Sequence, residues 1–555
     1  MPLHVHGPAV EERGVRFSIW APALDRLSVR VRGKEHPLED AGEGWWEGTV
    51  PEAGPGDRYG YVLPDGRCLP DPGSRRQPEG VHGRSQVWDA RRFAWHHAFP
   101  GRPLEEMIFY ELHVGTFTGE GTLDSAAARL GDLAELGVTC VELMPVQPFP
   151  GRRNWGYDGV APRAVHEGYG GPDALQRFVD KAHGLGLSVC LDVVYNHLGP
   201  EGSHLSAFGP YLSCRHRSPW GDGVNYDGEG SATVRAFAIE AALQWVRDFR
   251  VDALRLDAVH AIQDDSPRHL VAELREELAE FARRSGRRVQ VVAESDLQDR
   301  KVVDPPPRGW GCAAMWAGDF HHAVHAFLTG ERYRSYADFG AFDQIVRALT
   351  GGFVFQGQHS AYRGKAWGTA TAGLAPAQFV TCIQSHDQVG NRPGGERLPA
   401  LVPRAALEPL ATLLVLGSGL PLLFMGEEYG EERPFLYFTS HDDPELARAV
   451  AEGRKREHLA EAPGGEAPDP QSVETFERSK LTHRRDGHHG TLWRHYRDML
   501  QVRRRHQRVL GTCWPDVAID GTVLTLRRSG LEVAVNLGPG AAAELPPWGW
   551  RVREG

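Results

Sequence analysis

Charged side chains follow several apolar, strand-length runs of the chain, where each run ends. Along the sequence these residues are Asp192, His197, Arg255, Asp257, Glu294, His386 and Asp387. Any one of them alone could equally be part of a structural salt bridge. Polar groups are costly to bury without partners, so a set of this size at strand ends indicates a shared site. Carboxylates, an arginine and histidines in this combination fit the hydrolysis of glycosidic bonds.

Glycoside hydrolysis needs two carboxyl groups in different protonation states. An ionised carboxylate faces the anomeric carbon, and a protonated acid serves the leaving oxygen. Arg255 stands two positions before Asp257, so both side chains share one face of a strand and Arg255 would keep that carboxylate ionised. Glu294 would then need a raised pKa to carry a proton near neutrality.

Eight apolar runs of strand length alternate with helical patterns in the middle of the chain. These runs are Met107–Phe117, Val138–Val146, Ser188–His197, Val251–Val259, Val289–Asp296, Ala313–Phe320, Phe379–Asp387 and Pro421–Gly430. One intervening helix is predicted over Val234–Phe249, where apolar residues recur at i+4. Eight buried strands alternating with helices predict a (β/α)8 TIM barrel, whose active site lies at the C-terminal ends of the strands.

Short strands with alternating polarity flank this barrel on both sides. We expect an N-terminal immunoglobulin-like β-sandwich over residues 1–95, a catalytic barrel with insertions over 96–505, and a small C-terminal β domain over 506–555. The polar segment 431–490 is predicted to be an excursion after the eighth strand. His488 and His489, near its end, are expected to be solvated in a loop.

Composition excludes several classes of protein. With 62 Lys and Arg against 73 Asp and Glu, the net charge of the 555-residue chain is −11, which argues against a nucleic-acid partner. No run approaches the roughly 20 apolar residues of a membrane span, and no signal peptide is recognisable at the N-terminus. The seven cysteines are scattered without a C-x-x-C pair. We expect a soluble, cytoplasmic protein with no membrane partner, no cofactor and no required metal.

Four segments resemble the signature regions of the α-amylase superfamily of glycoside hydrolases, in the order and on the strands that this superfamily uses. They are Asp192–His197, Arg255–Asp257, Ala293–Ser295 and Ser385–Asp387. Further segments are similar to the maltooligosyltrehalose trehalohydrolase family, among them Tyr110–Thr118, Asn154–Gly159, Arg255–Ile262 and Ser385–Arg392. This resemblance implies hydrolysis of the α-1,4 bond next to a terminal trehalose unit, with maltooligosyltrehalose and related α-glucans as substrates.

The resemblance also implies a role for each matching carboxylate. Asp257 is expected to be the nucleophile and Glu294 the general acid/base of a retaining double displacement. Asp387 is expected to be the third carboxylate, which grips sugar hydroxyls and distorts the ring. Asp192 is expected to support this group from below.

Other matching residues are implied to contact sugar. His197, Arg255 and His386 are expected to line the sugar before the cleaved bond, and Tyr157 is expected to stack on it. Two further aromatic residues, Trp220 and Phe355, lie on predicted rim loops and are expected on the trehalose side. Each of these two could equally pack within its own loop.

Two alternatives remain open at this point. A glycogen branching or debranching enzyme of the same superfamily would share the motifs, because transfer needs only a sugar hydroxyl that outcompetes water. A non-catalytic glucan-binding protein is the remoter alternative, since such proteins typically lose the catalytic carboxylates and all three are present here.

Overall fold

The N-terminal part of the chain forms two antiparallel sheets. A computed structural model describes residues 4–218, 221–461 and 468–555. The first strands are β1 (Ala9–Glu11), β2 (Gly14–Trp20), β3 (Ser28–Val31), β4 (Lys34–Pro37), β5 (Glu39–Gly42), β6 (Trp45–Val50), β7 (Arg58–Val62), β8 (Cys68–Leu69) and β9 (Ser85–Gln86). One sheet has the order β1-β2-β6-β5, and the other has the order β4-β3-β7-β8 with β9 beside β7. Phe17 and Tyr59, one from each sheet, are fully buried with ring centroids 5.0 Å apart, so apolar residues of both sheets share one core.

A closed barrel of eight parallel strands follows in the described chain. Its strands are β10 (Phe109–Leu112), β11 (Cys140–Leu143), β12 (Ser188–Val193), β15 (Ala253–Leu256), β16 (Gln290–Ala293), β17 (Ala314–Trp316), β20 (Phe379–Cys382) and β21 (Leu420–Phe424). Two hairpins lie between them, β13 (Leu212–Ser218) with β14 (Gly221–Val224), and β18 (His359–Ser360) with β19 (Lys365–Ala366). Each barrel strand overlaps one of the predicted apolar runs, which confirms the (β/α)8 prediction. The runs are continuous because parallel strands are buried on both faces.

Helices surround the barrel and fill the long connections. They are α1 (Val114–Phe117), α2 (Leu123–Ala128), α3 (Leu130–Leu136), α4 (Gly171–Gly184), α5 (Ser231–Asp248), α6 (Leu270–Ser285), α7 (Gly318–Thr329), α8 (Phe342–Gly351), α9 (His386–Gly390), α10 (Leu398–Leu401), α11 (Leu407–Leu416), α12 (Pro444–Glu461), α13 (Val473–Arg478) and α14 (Gly487–Thr512). The predicted helix over 234–249 corresponds to α5, whose Phe237, Ala241 and Trp245 are buried. No described helix is long and apolar enough to cross a membrane.

The C-terminal sheet has the order β22-β23-β24-β25, with strands β22 (Asp516–Asp520), β23 (Val523–Arg528), β24 (Leu531–Asn536) and β25 (Trp550–Glu554). Helix α14 runs across the limit expected between residues 505 and 506, so this sheet begins only at Asp516. His488 and His489 lie in the first turn of α14 rather than in a loop. The expectation that both are solvated is wrong for His489, which is 2% exposed because its ring packs against the turn after β21 and donates to Tyr429 O.

Candidate active site

The guanidinium of Arg255 lies at the centre of the charged residues at the strand ends. Its Nη1 donates to Asp192 Oδ2 and to Asp257 Oδ1, both at 2.8 Å. Its Nη2 lies 3.8 Å from Glu294 Oε2. The ring of Trp316 covers the guanidinium, with 4.6 Å between the guanidinium carbon and the ring centroid. One buried cation therefore lies among three carboxylates.

Strand register explains why these groups meet. Asp192 on β12 pairs with Arg255 on β15, so the two side chains leave neighbouring strands at the same level. Asp257 lies two positions further on, which places its side chain on the same face as that of Arg255. Burial lowers the pKa of Arg255, but the carboxylates of Asp192 and Asp257 outweigh this effect and raise the pKa well above its ordinary value. Arg255 is therefore permanently charged.

The carboxylate of Asp257 is held at both oxygens. Arg255 donates to Oδ1, and Asn196 Nδ2 donates to Oδ2 and to the Asp257 carbonyl, each at 2.8 Å. The Asp257 side chain nevertheless stays 13% exposed. Donors on both oxygens fix the orientation of the carboxylate. This arrangement suits a nucleophile or an electrostatic stabiliser.

Glu294 lies near the other terminal nitrogen of the Arg255 guanidinium and has a different environment from Asp257. Burial raises its pKa above the ordinary value, and the charges of Asp257 and Asp387 raise it further against the opposing effect of Arg255. Its Oε2 accepts a 2.7 Å hydrogen bond from the N–H of Ala258. Ala258 has a φ of +40°, a strained value for a residue other than glycine, in the turn directly after Asp257. A carboxyl group with a raised pKa beside an oriented carboxylate can act as a general acid.

His386 links the seventh strand to the first. Its backbone N–H and its ring Nδ1–H both donate to the carboxylate of Glu111 on β10, and its Nε2 lies 2.8 Å from the hydroxyl of Tyr157. The Tyr157 hydroxyl in turn donates to Asp192 Oδ2 at 2.7 Å. Burial lowers the pKa of His386, but the carboxylates of Glu111 and Asp387 outweigh burial and raise it to about 9. The ring is therefore an imidazolium near neutrality, with both nitrogens donating.

A cavity of about 530 Å³ opens beside Glu294 and Asp387. Its wall includes Glu294, Asp387, Trp316, Tyr333, Asn391 and Arg454. Asp387 is the most accessible of the three predicted catalytic carboxylates, with 42% of its side chain exposed, and its Oδ1 accepts a 3.2 Å hydrogen bond from Asn391. Arg454 belongs to α12, so the polar segment after the eighth strand contributes to the cavity.

The structure brings most of the predicted site residues together. Asp257, Glu294, Arg255, His386 and Tyr157 are joined by the contacts described above, and Asp387 Oδ1 lies 3.4 Å from His386 Nε2. His197 lies beside them, where its ring contacts the carbonyl of Tyr157 at 2.9 Å and the side chain of Asn196.

Of the two aromatic residues expected on rim loops, only Phe355 lies within the described residues. Phe355 is 9% exposed and packs edge-to-face on Phe339, with ring centroids 5.7 Å apart. The lining of the cavity includes Phe353 and not Phe355. Trp220 lies outside the described residues.

Three residues of the site were not predicted from the sequence. Glu111 is a charged residue inside the first apolar run, and that placement was a usable signal. Asn196 lies inside the segment Asp192–His197 beside two residues that were singled out. Trp316 ends the sixth strand and carries no signal that separates it from an ordinary core aromatic residue.

The closed barrel and its group of carboxylates around one arginine define an α-amylase-type glycoside hydrolase, and the α-amylase catalytic-domain family matches residues 102–208. The chain is 44% identical over 541 residues to the malto-oligosyltrehalose trehalohydrolase of Rhizobium sp. (strain M-11), covering 94% of this chain and 90% of that protein. It is 42% identical to the enzyme of the same name from Saccharolobus solfataricus, with 90% and 87% covered. The chain therefore belongs to the malto-oligosyltrehalose trehalohydrolase family. A solved structure from Salmonella typhimurium, described as a candidate α-amylase, has a TM-score of 0.91 and 39% identity over 96% of this chain and 93% of that one.

Proposed function

We propose that this protein hydrolyses the α-1,4-glucosidic bond adjacent to the terminal trehalose of maltooligosyltrehalose and releases trehalose. The relatives that carry this activity in their names match nearly the whole chain. The observation that carries the chemistry is the position of Arg255, which binds Asp257 directly and lies 3.8 Å from Glu294. Two carboxyl groups that share one guanidinium are close enough to act on the same glycosidic bond.

The first step forms a covalent glycosyl-enzyme. Asp257 Oδ attacks the anomeric carbon while Glu294 donates its proton to the glycosidic oxygen, so the carbon–oxygen bond breaks and trehalose leaves with that proton. In the second step Glu294, now ionised, takes a proton from water. The water oxygen displaces Asp257 from the anomeric carbon, which frees the shortened maltooligosaccharide and restores both carboxyl groups.

The surrounding residues position the sugar in this proposal. His386 is held as an imidazolium between Glu111 and Tyr157, so it presents fixed positive charge near the site of reaction. Asp387 is exposed to the cavity and would accept hydrogen bonds from sugar hydroxyls. Tyr157 stacks on His386 with ring centroids 5.2 Å apart, and its other face would carry the sugar.

The deciding experiment is incubation with maltotriosyltrehalose and analysis of the products. We expect trehalose and maltotriose in equal amounts. Asp257→Asn and Glu294→Gln should each lower the rate by at least about a thousandfold with an unchanged circular dichroism spectrum. Near-normal trehalose release by Asp257→Asn would refute the assigned roles.

Incubation with amylose tests the alternative from the same superfamily. A branching enzyme would create new α-1,6 linkages, and a debranching enzyme would hydrolyse existing ones in a branched glucan. We expect neither product to form at a rate comparable with trehalose release.

We also propose a cytoplasmic location, which is supported by the seven cysteines, all within the described segments and all unpaired.

A further inference from the structure

Two histidines and a glutamate meet at a second place in the molecule. Glu432 follows the turn after β21, and His488 and His489 lie in the first turn of α14. One nitrogen of each imidazole and one carboxylate oxygen of Glu432 lie within 4.8 Å of one another. None of the three residues lines the cavity that contains Glu294 and Asp387. The candidate active site therefore does not account for them.

The second observation concerns the buried ring of His489. Its Nδ1–H donates to the carbonyl of Tyr429 at 2.8 Å, which leaves the lone pair on Nε2. That Nε2 is buried and has no hydrogen-bond partner among the described residues. A histidine that donates one nitrogen to a backbone carbonyl and keeps the other as a bare acceptor has the arrangement of a metal-bound histidine.

The other two residues have the freedom to complete a site. His488 Nε2 lies 3.8 Å from Glu432 Oε1, and the His488 side chain is 38% exposed. The rings of His488 and His489 have centroids 3.9 Å apart and planes inclined by 36°, so a side-chain rotation of the exposed His488 turns its lone pair towards that of His489. A cavity of about 630 Å³, lined by Glu432, His488 and Trp548 among others, adjoins the group.

We propose that Glu432, His488 and His489 bind one divalent transition-metal ion of the zinc class. Two imidazole nitrogens and one carboxylate form a donor set that Zn²⁺ accepts, with a fourth position left for water from the adjoining cavity. Mg²⁺ and Ca²⁺ prefer oxygen ligands throughout and fit this set poorly. The bound ion ties the start of α14 to the turn after β21, and it lies apart from the catalytic carboxylates.

One nearby cation competes with the metal. Arg404 Nη2 lies 3.9 Å from Glu432 Oε1, and its side chain is 64% exposed. Binding of the ion displaces this guanidinium into solvent. Arg404→Ala should therefore raise the affinity for the metal.

The test uses the full-length protein after dialysis against EDTA. Calorimetric titration with Zn²⁺ should give one saturable equivalent, and titration with Co²⁺ should give the visible absorption of a four-coordinate site. His488→Gln and Glu432→Gln should each weaken Zn²⁺ binding by at least about tenfold. Zn²⁺ should raise the Tm of the unsubstituted protein and should not raise the Tm of His488→Gln. Mg²⁺ should leave the Tm of the unsubstituted protein and the Tm of His488→Gln unchanged.

The matched control is His506→Gln in the same helix. His506 also pairs with a glutamate, Glu554, at 2.8 Å, but no second histidine of the described segments joins this pair. His506→Gln should bind Zn²⁺ as tightly as the unsubstituted protein does. The proposal is overturned if no saturable equivalent binds, or if His488→Gln and Glu432→Gln bind Zn²⁺ as tightly as the control does.

Discussion

The single guanidinium of Arg255 contacts carboxylates that leave three different strands of the barrel, and it does so from a position that is 1% exposed. A lysine at this position would offer one ammonium in place of two nitrogens in a fixed planar fork. Arg255→Lys should therefore lose the arrangement in which Nη1 holds Asp192 and Asp257 while Nη2 lies beside Glu294. We expect kcat/KM for trehalose release to fall on the order of a hundredfold, because a misplaced nucleophile costs rate steeply.

The control for Arg255→Lys is Arg177→Lys, in an exposed ion pair with Asp124 on the outer helices. The kcat/KM of Arg177→Lys should be unchanged, since exposed ion pairs contribute little to the stability of the fold. A kcat/KM for Arg255→Lys within twofold of the unsubstituted value would show that the fork geometry is unimportant.

Glu111 sets the charge of His386. In the native protein the pKa of His386 is raised to about 9, from an ordinary value of 6.5, so its contribution to stability is complete below pH 6.5 and is lost as the pH rises through about 9. Glu111→Gln removes the nearer carboxylate and should lower the pKa of His386. NMR titration of the His386 ring, assigned with His386→Gln, measures this shift directly.

The same Glu111→Gln variant should lose activity at a lower alkaline pH than the unsubstituted protein, because His386 becomes neutral earlier. An unchanged titration of His386 would contradict the assigned role of Glu111. An unchanged alkaline limb of kcat against pH would show that the charge on His386 is not needed for turnover.

Residue types and spacing were sufficient to predict Asp257, Glu294 and Arg255 as neighbours, because Arg255 and Asp257 lie at the end of the fourth barrel strand and Glu294 lies at the end of the fifth. The contact between Glu111 and His386 was not predictable in the same way. These residues are 275 positions apart and meet only because the first strand closes the barrel close to the seventh. The side-chain direction of Phe355 also depends on packing against Phe339, and loop composition contains no information about that contact.

At the scale of elements, the barrel strands were predictable because each is a continuous apolar run. Helix α14 was not predicted over the end of the polar segment 431–490. Its first turn, with His488 and His489, resembles a loop in composition, and its position is fixed by packing against α11 and the turn after β21. Tertiary contacts outweigh local composition at such a helix start.

The turn that follows β21 contains a buried acid. Burial raises the pKa of Glu427 to about 8, although Tyr496 and Gln384 donate hydrogen bonds to it at 3.0 and 3.2 Å. A carboxyl group whose pKa is about 8 when folded and about 4.5 when unfolded favours the folded state at low pH, and this advantage is lost as the pH rises through 8. Glu427→Gln keeps the volume and removes the titration.

The stability of Glu427→Gln relative to the unsubstituted protein should therefore increase between pH 6 and pH 9, on the order of 2 kcal/mol. Urea unfolding at several pH values measures this difference, and the titration of His386 cancels because both proteins contain it. A difference that is constant with pH would show that Glu427 is ionised throughout.

At the scale of the whole molecule, the three parts share one continuous apolar core. A single cluster of contacting buried residues includes Phe17 of the sandwich, Leu143 of the barrel and Val535 of the C-terminal sheet. The C-terminal sheet is also tied to the barrel by Arg528, which donates to Gly417 O at 3.0 Å. Parts that share a core in this way should unfold together, in contrast to domains joined by a linker.

Arg163 provides the test of this cooperativity. It is fully buried between the sandwich and the barrel, where it donates to His6 O and to Gln244 Oε1, each at 2.7 Å. Arg163→Met fills the space but leaves both acceptors without their donor. We therefore expect the free energy of unfolding to fall by about 3 kcal/mol. Scanning calorimetry should show one transition in both proteins, shifted to lower temperature in the variant. The exposed substitution Arg177→Met should leave the Tm unchanged. If Arg163→Met instead resolves a separate early transition of the sandwich, the two parts are independent folding units that only touch, and the shared core does not couple them.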